Sequence, residues 1–349
     1  MNYYLEDIVK NYKCISIIGM CKNSGKTEVL NHLLKSSAYK DLSLGITSIG
    51  RDGEGLDIVT GTKKPRIFIR EAALLATARG SLPLCDFTKE ILYTTGINTP
   101  LGEIVIVKAR SCGYVDLSGP STTYDLSIVR DLLYYLGCDR IIIDGALGRK
   151  SLASPTVADG CILATGAALS PSLANIVSET SHRVRLFSLD VLEESELVRL
   201  IHQNINNNTA LIIQEDYSFK EISALSSLHI VETLGTELNT ESRYLFISGA
   251  ITDKHLRALI SQRSIIKNLT LVVWDSTRLL VSREELYKAE YLGLTFKVLK
   301  SAELLALTVN PTSPYGFHQR SEELIAALKE ELSLPILDVL NAPKGGCAK

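Results

Sequence analysis

The chain has 349 residues, of which 46% are hydrophobic and 22% charged, and its formal net charge is −2. This length and composition predict an ordinary globular protein of about two domains. The near-neutral charge excludes the broad basic field that binding to nucleic acid or an anionic membrane requires. No apolar run reaches the ~18 residues of a membrane span. The N-terminal residues mix charged and aromatic side chains, unlike a secretory signal, so we expect a cytoplasmic protein.

The first predicted elements are a buried strand at residues 15–18 and an amphipathic helix at residues 28–34, which enclose the segment GMCKNSGKT starting at Gly19. Strand, glycine-rich loop, GKT and helix in this order predict a phosphate-binding loop. The alternative is a strand–turn–helix connection that contains glycine and lysine by chance. The loop is one residue longer than the common GxxxxGK[ST] spacing, because five residues separate Gly19 from Gly25.

Each residue type in this loop has a role if it binds a nucleoside triphosphate. Gly25 lets main-chain amides close around phosphate oxygens, Lys26 supplies a positive charge to the β and γ phosphates, and the Thr27 hydroxyl ligates magnesium. For Lys22, a phosphate contact and a solvated side chain are equally compatible with the sequence. The candidate nucleotide-binding residues are Gly19, Lys22, Asn23, Ser24, Gly25, Lys26 and Thr27.

A second strand is predicted at residues 42–49, and it leads into a loop at residues 50–57 that contains three glycines and three carboxylates. A loop of this kind beyond a strand end is typical of functional loops in α/β folds. It is a candidate switch that contacts magnesium or the attacking water when the γ phosphate is present. We favour Asp52 over Glu54 and Asp57 as the catalytic carboxylate because it lies nearest the strand end. A solvated turn is the equal alternative.

The next elements are a strand at residues 67–69, a helix at residues 71–78, strands at 91–95 and 103–108, and a helix at 124–136. A run of three isoleucines then predicts a parallel strand buried on both faces, which ends at Asp144. A carboxylate at that position is the expected second magnesium contact, usually through water. The alternative is that Asp144 caps the following turn. Lys26, Asp144 and Asp52 are therefore the candidate catalytic residues.

A further strand at residues 161–165 and a helix at 173–184 complete an alternation of strands and helices. This alternation predicts an α/β fold with a doubly wound, mostly parallel sheet. The polar segment at residues 204–209 is the best linker candidate. We therefore expect a nucleotide-binding domain at residues 1–203 and a smaller α/β domain at residues 209–349, with a role in binding a partner or ligand. Within the second domain, the segment from Asn310 to Gly316 is either a ligand or partner loop or a plain turn.

The seven cysteines are dispersed, without CxxC spacing, which indicates reduced thiols and neither disulfides nor a zinc site. Cys21 lies inside the predicted phosphate loop, where positive potential would lower the pKa of its thiol. An unreactive loop thiol is nevertheless the preferred interpretation.

The interval from Gly19 to GKT, together with the Asp-Gly-Ala sequence at Asp144, resembles the dethiobiotin synthetase and cobyrinate amidase branch of phosphate-loop proteins. Members of that branch usually have glutamate where Asp144 stands. The resemblance implies a P-loop NTPase fold that binds a nucleoside triphosphate with Mg²⁺. Guanine-specific members read the base with an [NT]KxD motif, and residues 62–65 (TKKP) fail at its last position. ATP is therefore favoured over GTP.

The segments ISIIGMCKNSGKT, GITSIGRDGE, TPLGEIVIVKARSCGYVDLSGPS and IIIDGALGRKSLASP resemble the reactivase B subunits associated with lysine 5,6-aminomutase and its ornithine-using relatives. The resemblance spans most of residues 1–200. It implies that ATP binding and hydrolysis, together with a MutS-like ATPase subunit, drive exchange of damaged cobalamin in an adenosylcobalamin-dependent aminomutase. The chain has no DxHxxG cobalamin-binding motif, which suggests that it acts on the mutase and does not hold the cofactor by histidine ligation.

Two other functions fit the same residues. One is an ATP-dependent ligase or kinase of the dethiobiotin synthetase-like class, in which Lys108, Arg149 or Lys150 binds a small carboxylate. The other is a nucleotide-binding regulatory or scaffold protein with negligible turnover.

Overall fold

The computed structural model describes residues 4–50, 66–145, 157–204, 209–223, 227–301 and 303–341. Its helices are α1 (Leu5–Val9), α2 (Lys26–Lys35), α3 (Thr123–Tyr135), α4 (Leu173–Phe187), α5 (Ser195–Gln203), α6 (Ser227–Glu237), α7 (Asp253–Ile260), α8 (Arg263–Ile266), α9 (Arg283–Tyr291) and α10 (Ser321–Glu331). Among these described helices, none has the length and apolar character needed to cross a lipid bilayer.

The strands come in three stretches of chain. The first holds β1 (Cys14–Gly19), β2 (Leu44–Ser48), β3 (Ile67–Ile69), β4 (Leu74–Ala78), β5 (Lys89–Thr99), β6 (Gly102–Ala109), β7 (Gly113–Val115), β8 (Arg140–Asp144) and β9 (Gly160–Gly166). The second holds β10 (Thr209–Gln214), β11 (Phe219–Ser223), β12 (Ser242–Ile247), β13 (Ile251–Thr252), β14 (Thr270–Val273), β15 (Leu279–Leu280) and β16 (Thr295–Val298). The third holds β17 (Glu303–Asn310) and β18 (Ile336–Leu337).

The main sheet has nine strands in the order β18-β17-β9-β1-β8-β2-β4-β6-β5. The strands from β18 to β4 in this order run parallel, whereas β6 is antiparallel to both β4 and β5. The predicted α/β class is confirmed, and the main sheet is mixed. The strand β8 is buried as its isoleucine run predicts, with Ile141, Ile142 and Ile143 each at most 1% exposed. Because β8 and β1 are neighbouring parallel strands, their carboxyl ends meet at one edge of the sheet.

The predicted helix at residues 71–78 is wrong, because Leu74–Ala78 forms β4. Every residue of β4 is buried, and the strand pairs with β2 on one side and β6 on the other. A short apolar run that is buried on both faces shows neither the helical nor the strand period, so its sequence does not distinguish the two structures.

The chain folds as two compact units, and the second contains residues 182–302. Its principal sheet has five strands in the order β11-β10-β12-β14-β16, in which β12, β14 and β16 are parallel. The strand β10 runs antiparallel to both of its neighbours. This second unit is therefore an α/β unit with a mixed sheet of its own.

The division differs from the boundary expected near residues 204–209, because the chain returns to the first unit at Glu303. The strand β17 pairs in parallel with β9, with Leu307 opposite Leu163, and β18 then pairs with β17. The apolar side chains of β17 extend the core of the nine-stranded sheet, and Ala306 and Leu307 are fully buried. The second unit is consequently an insertion in the chain of the first.

A hydrogen bond between Glu6 of α1 and His32 of α2 makes the stability of the fold sensitive to acid. His32 Nε2 lies 3.2 Å from Glu6 Oε1, and this hydrogen bond is the main cause that lowers the pKa of Glu6 from 4.5 to about 2. Because the folded-state pKa lies below the unfolded value, ionised Glu6 stabilises the fold above about pH 4.5, and this contribution is lost as the pH falls toward 2.

We therefore expect the free energy of unfolding to fall less steeply between pH 4.5 and 2 in Glu6→Gln than in the wild type. Urea titrations at several pH values measure this difference, with Glu331→Gln at an exposed site as the control. Parallel pH profiles for wild type and Glu6→Gln would contradict the assignment.

Candidate functional site

The loop between β1 and α2 has two residues in the left-handed region of backbone space, Asn23 at φ 60° and Gly25 at φ 99°. Its start is tied to the sheet, because Met20 N donates to Ala164 O of β9 at 2.9 Å. Its end is the first turn of α2, where Val29 N donates to Gly25 O at 3.1 Å. The loop is thus held at both ends and folded tightly between them.

The side chains of Lys26 and Ser24 fold back over Gly19. A Cβ atom built on Gly19 would lie 2.3 Å from Ser24 Oγ and 3.1 Å from Lys26 Nζ. The absence of a side chain at Gly19 is therefore what allows the hydroxyl and the ammonium group to occupy this position. The Lys26 ammonium points toward the loop and not away from it.

Hydrogen-bond donors at the start of α2 are left without acceptors in the described part of the chain. The N–H groups of Lys26, Thr27 and Glu28 have none there, and no side chain caps the helix. Ser24 is 1% exposed, yet its Oγ also has no partner among the described residues, and the same holds for Asn23 Nδ2. Unpaired donors at the N-terminus of a ten-residue helix, with an ammonium group beside them, form an environment that favours an anion.

Asp144 lies at the same sheet edge as this loop. It ends β8, where it is paired in register with Ile17 of β1 and Ser48 of β2, and it is 6% exposed. The chain continues along β1, because Gly145 N donates to Ile17 O at 2.9 Å. Since neighbouring strands are about 4.8 Å apart, the carboxylate-bearing residue is placed next to the strand that leads into the loop.

The remaining residues that the sequence predicts for the site differ in where the structure places them. Thr27 is half-buried in the first turn of α2, and the Lys22 side chain is exposed. Asp52, with most of the candidate switch loop, lies outside the described residues, as do Arg149 and Lys150. Lys108 lies beside Leu74, at the start of β4. That is the opposite end of the parallel strands from Asp144, so Lys108 and the loop are not brought together.

Burial raises the pKa of the Cys21 thiol, and the nearby charge of Lys26 offsets only part of that effect. The positive potential of the loop is therefore not the dominant influence on this thiol. A raised pKa keeps the Cys21 thiol protonated, which agrees with its interpretation as an unreactive thiol.

Asn310 belongs to the site, and the sequence did not predict its contact with the loop. It is the last residue of β17, and its Nδ2 donates to Asn23 O at 3.1 Å although 287 positions separate the two residues. The local signal is the turn-prone segment from Asn310 to Gly316 at the end of an apolar strand, for which the sequence leaves a ligand or partner loop and a plain turn as alternatives. The expected domain boundary assigned that residue to the second domain.

We expect Gly25→Ala to weaken both folding and the anion site. A Cβ atom at Gly25 would meet Asn310 Cβ at 3.1 Å, on a backbone whose φ of 99° already disfavours a side chain by about 1–2 kcal/mol. Gly137→Ala is the matched control, because φ there is 90° and, among the described residues beyond its chain neighbours, no heavy atom lies within 4 Å of the added Cβ. Chemical denaturation should show the larger loss of stability for Gly25→Ala. Equal losses would mean that the contact with Asn310 has no energetic effect.

In the described ranges, no group of three or more histidine, cysteine, aspartate or glutamate side chains is arranged to hold a metal ion. No family model matches the chain, and a search of curated proteins also finds no match.

Proposed function

We propose that the chain is a P-loop nucleoside triphosphatase that binds Mg-ATP in the loop from Gly19 to Thr27. The observation that carries this proposal is the position of the Lys26 ammonium over Gly19, in a loop that leads into α2 amides for which the described residues provide no acceptor. A cation and several N–H donors directed at one space are what a polyphosphate requires.

The residues present fit magnesium as well as phosphate. The Thr27 hydroxyl would hold the ion directly, and Asp144 would do so through water, because Asp144 ends the strand beside the loop. Magnesium, when bound, neutralises charge on the phosphoryl oxygens. Within the described residues, Asp144 is a carboxylate placed beside the strand that leads into the loop, which suits an ion that takes most of its ligands from phosphate and water.

The chain's own groups account for two parts of hydrolysis. Lys26 and the amides at the start of α2 hold the phosphate tail and stabilise the charge that develops on it. Asp144 would orient the magnesium ion, and its effect on hydrolysis would be greatest in the transition state, when charge develops on the phosphoryl group. Asp52 remains a predicted third contributor that would orient the attacking water.

The proposed biological role is reactivation of an adenosylcobalamin-dependent aminomutase together with a MutS-like ATPase subunit. It is supported by the resemblance of the segments around Gly19 and Asp144 to reactivase B subunits. A reactivator must prefer the cofactor-releasing state of the mutase, and the bound nucleotide must change that preference. We take the nucleotide to be ATP and not GTP because the chain has no complete [NT]KxD motif, with which guanine-specific relatives read the base.

Hydrolysis assays with three kinds of addition distinguish the possible roles. The purified protein is assayed alone, with a set of small carboxylic acids, and with an inactivated aminomutase plus the MutS-like subunit. We expect ATP turnover to rise with the inactivated mutase and to stay unchanged with the small acids. Stimulation only by a small acid would replace reactivation with a ligase or kinase function, and nucleotide binding without turnover in any mixture would indicate a regulatory protein.

A further inference from the structure

The side-chain amide of Asn310 is fixed from both ends. Its Nδ2 donates to Asn23 O at 3.1 Å, and its Oδ1 accepts from Thr312 N at 3.1 Å. One partner is a carbonyl and the other an N–H group, so the hydrogen-bond network sets the orientation of the amide. The Asn310 main chain is also anchored, because Ala167 N donates to its carbonyl at 2.9 Å. Asn310 is thus a rigid attachment point on the nine-stranded sheet.

The Asn23 carbonyl that accepts this bond belongs to the most constrained part of the loop. Asn23 has φ 60°, in the left-handed region, which asparagine adopts more readily than most residues with a side chain. The carbonyl of Asn23 and the N–H of Ser24 share one planar trans peptide, and they therefore point in opposite directions. A carbonyl held toward β17 consequently turns the Ser24 N–H away from β17.

We propose that Asn310 is a positioning residue, which holds the Asn23–Ser24 peptide in the orientation that the phosphate-binding form of the loop requires. The link to phosphate rests on the proposed function. The effect of Asn310 on the conformation of the loop does not depend on that function. Asn310 acts through the main chain of the loop. It therefore affects every ligand that carries the polyphosphate group, whatever base is attached.

The first test uses the nucleotide-free protein. Trypsin cleaves after lysine, and Lys22 in this loop is exposed, so the rate of cleavage after Lys22 would report how often the loop opens. Loss of one neutral hydrogen bond should raise this rate about three- to tenfold in Asn310→Ala. Asn98→Ala is the control, because Asn98 is an exposed asparagine on β5 whose side-chain amide donates to the nearby Gly96 O. An unchanged rate of cleavage after Lys22 would overturn the proposal.

Asn310→Asp isolates the bond to Asn23. Aspartate keeps the acceptor for Thr312 N and the size of the side chain, but it has no N–H to donate. We expect cleavage after Lys22 to be at least as fast in Asn310→Asp as in Asn310→Ala. Wild-type behaviour of Asn310→Asp would show that the donor is not needed, and would also overturn the proposal.

The second test compares Mg-ATP with magnesium tripolyphosphate, which has no base. Titration calorimetry should show that the affinity of Asn310→Ala for each ligand is about three- to tenfold lower than that of the wild type. A loss that is confined to ATP would mean that Asn310 contacts the nucleoside, which contradicts a positioning role. If the wild type binds neither ligand while Asn310→Ala still speeds cleavage, the proposed function fails and the positioning role stands.

Discussion

Replacing Lys26 with alanine should lower the affinity for Mg-ATP by roughly 100-fold, which corresponds to about 2.7 kcal/mol. Lys26 Nζ lies over Gly19, and the amides at the start of α2 have no acceptor among the described residues, so the charge of Lys26 would be directed at the phosphate tail. Hydrogen bonds to charged groups contribute about 1.5–3 kcal/mol each, and an ammonium group can make more than one. Titration calorimetry of the wild type and Lys26→Ala with Mg-ATP gives the difference.

Lys35→Ala is the matched control for this experiment. It removes one positive charge from the last turn of the same helix, about 13 Å along its axis from Lys26. Its exposed ammonium group should leave ATP affinity nearly unchanged. Normal ATP hydrolysis by Lys26→Ala, or equal losses of affinity in the two variants, would reject the assignment of the site.

Replacing Asp144 with asparagine should reduce magnesium-dependent hydrolysis by roughly 100- to 1000-fold while sparing much of the nucleotide binding. Electrostatic groups that act on charge developing in the transition state contribute effects of this size. Asp144 is buried at the carboxyl end of β8, beside the strand that leads into the loop. Asparagine keeps the size of the side chain and removes the charge that would orient the ion.

Single-turnover hydrolysis and equilibrium binding must be measured on the same Asp144→Asn protein. The single-turnover rate constant for hydrolysis should fall much more than the affinity for nucleotide, because the charge of Asp144 matters most in the transition state. Asp131→Asn on α3, with an exposed carboxylate, controls for the loss of one negative charge. A parallel loss of binding and turnover, or a loss of neither, would contradict the role given to Asp144.

The sequence predicts most directly those site residues that lie close together in the chain. Gly19, Gly25 and Lys26 lie within one short segment between a strand and a helix, so residue type and spacing suffice to place them together. Asp144 is predictable for a related reason. A run of isoleucines marks a buried parallel strand, and parallel strands of one sheet bring their carboxyl ends to the same edge.

Other features depend on packing that no local pattern records. The strand β4 is apolar on both faces, and only its pairing with β2 and β6 shows that it is not a helix. The chain returns to the nine-stranded sheet because β17 pairs with β9. The apolar sequence of β17 would fit either of the two large sheets equally well, so it does not reveal this pairing. The contact between Asn310 and Asn23 follows from that return, so the sequence alone does not reveal it.

The central claim is that the Lys26 ammonium and the amides at the start of α2 hold the tail of a triphosphate. A crystal structure with magnesium and a non-hydrolysable ATP analogue tests it most directly. The account predicts β and γ phosphate oxygens within hydrogen-bond distance of Lys26 Nζ and of the N–H groups of Lys26, Thr27 and Glu28, for which the described residues provide no acceptor. An analogue bound at another surface of the chain, with Lys26 remote from its phosphates, would contradict the account.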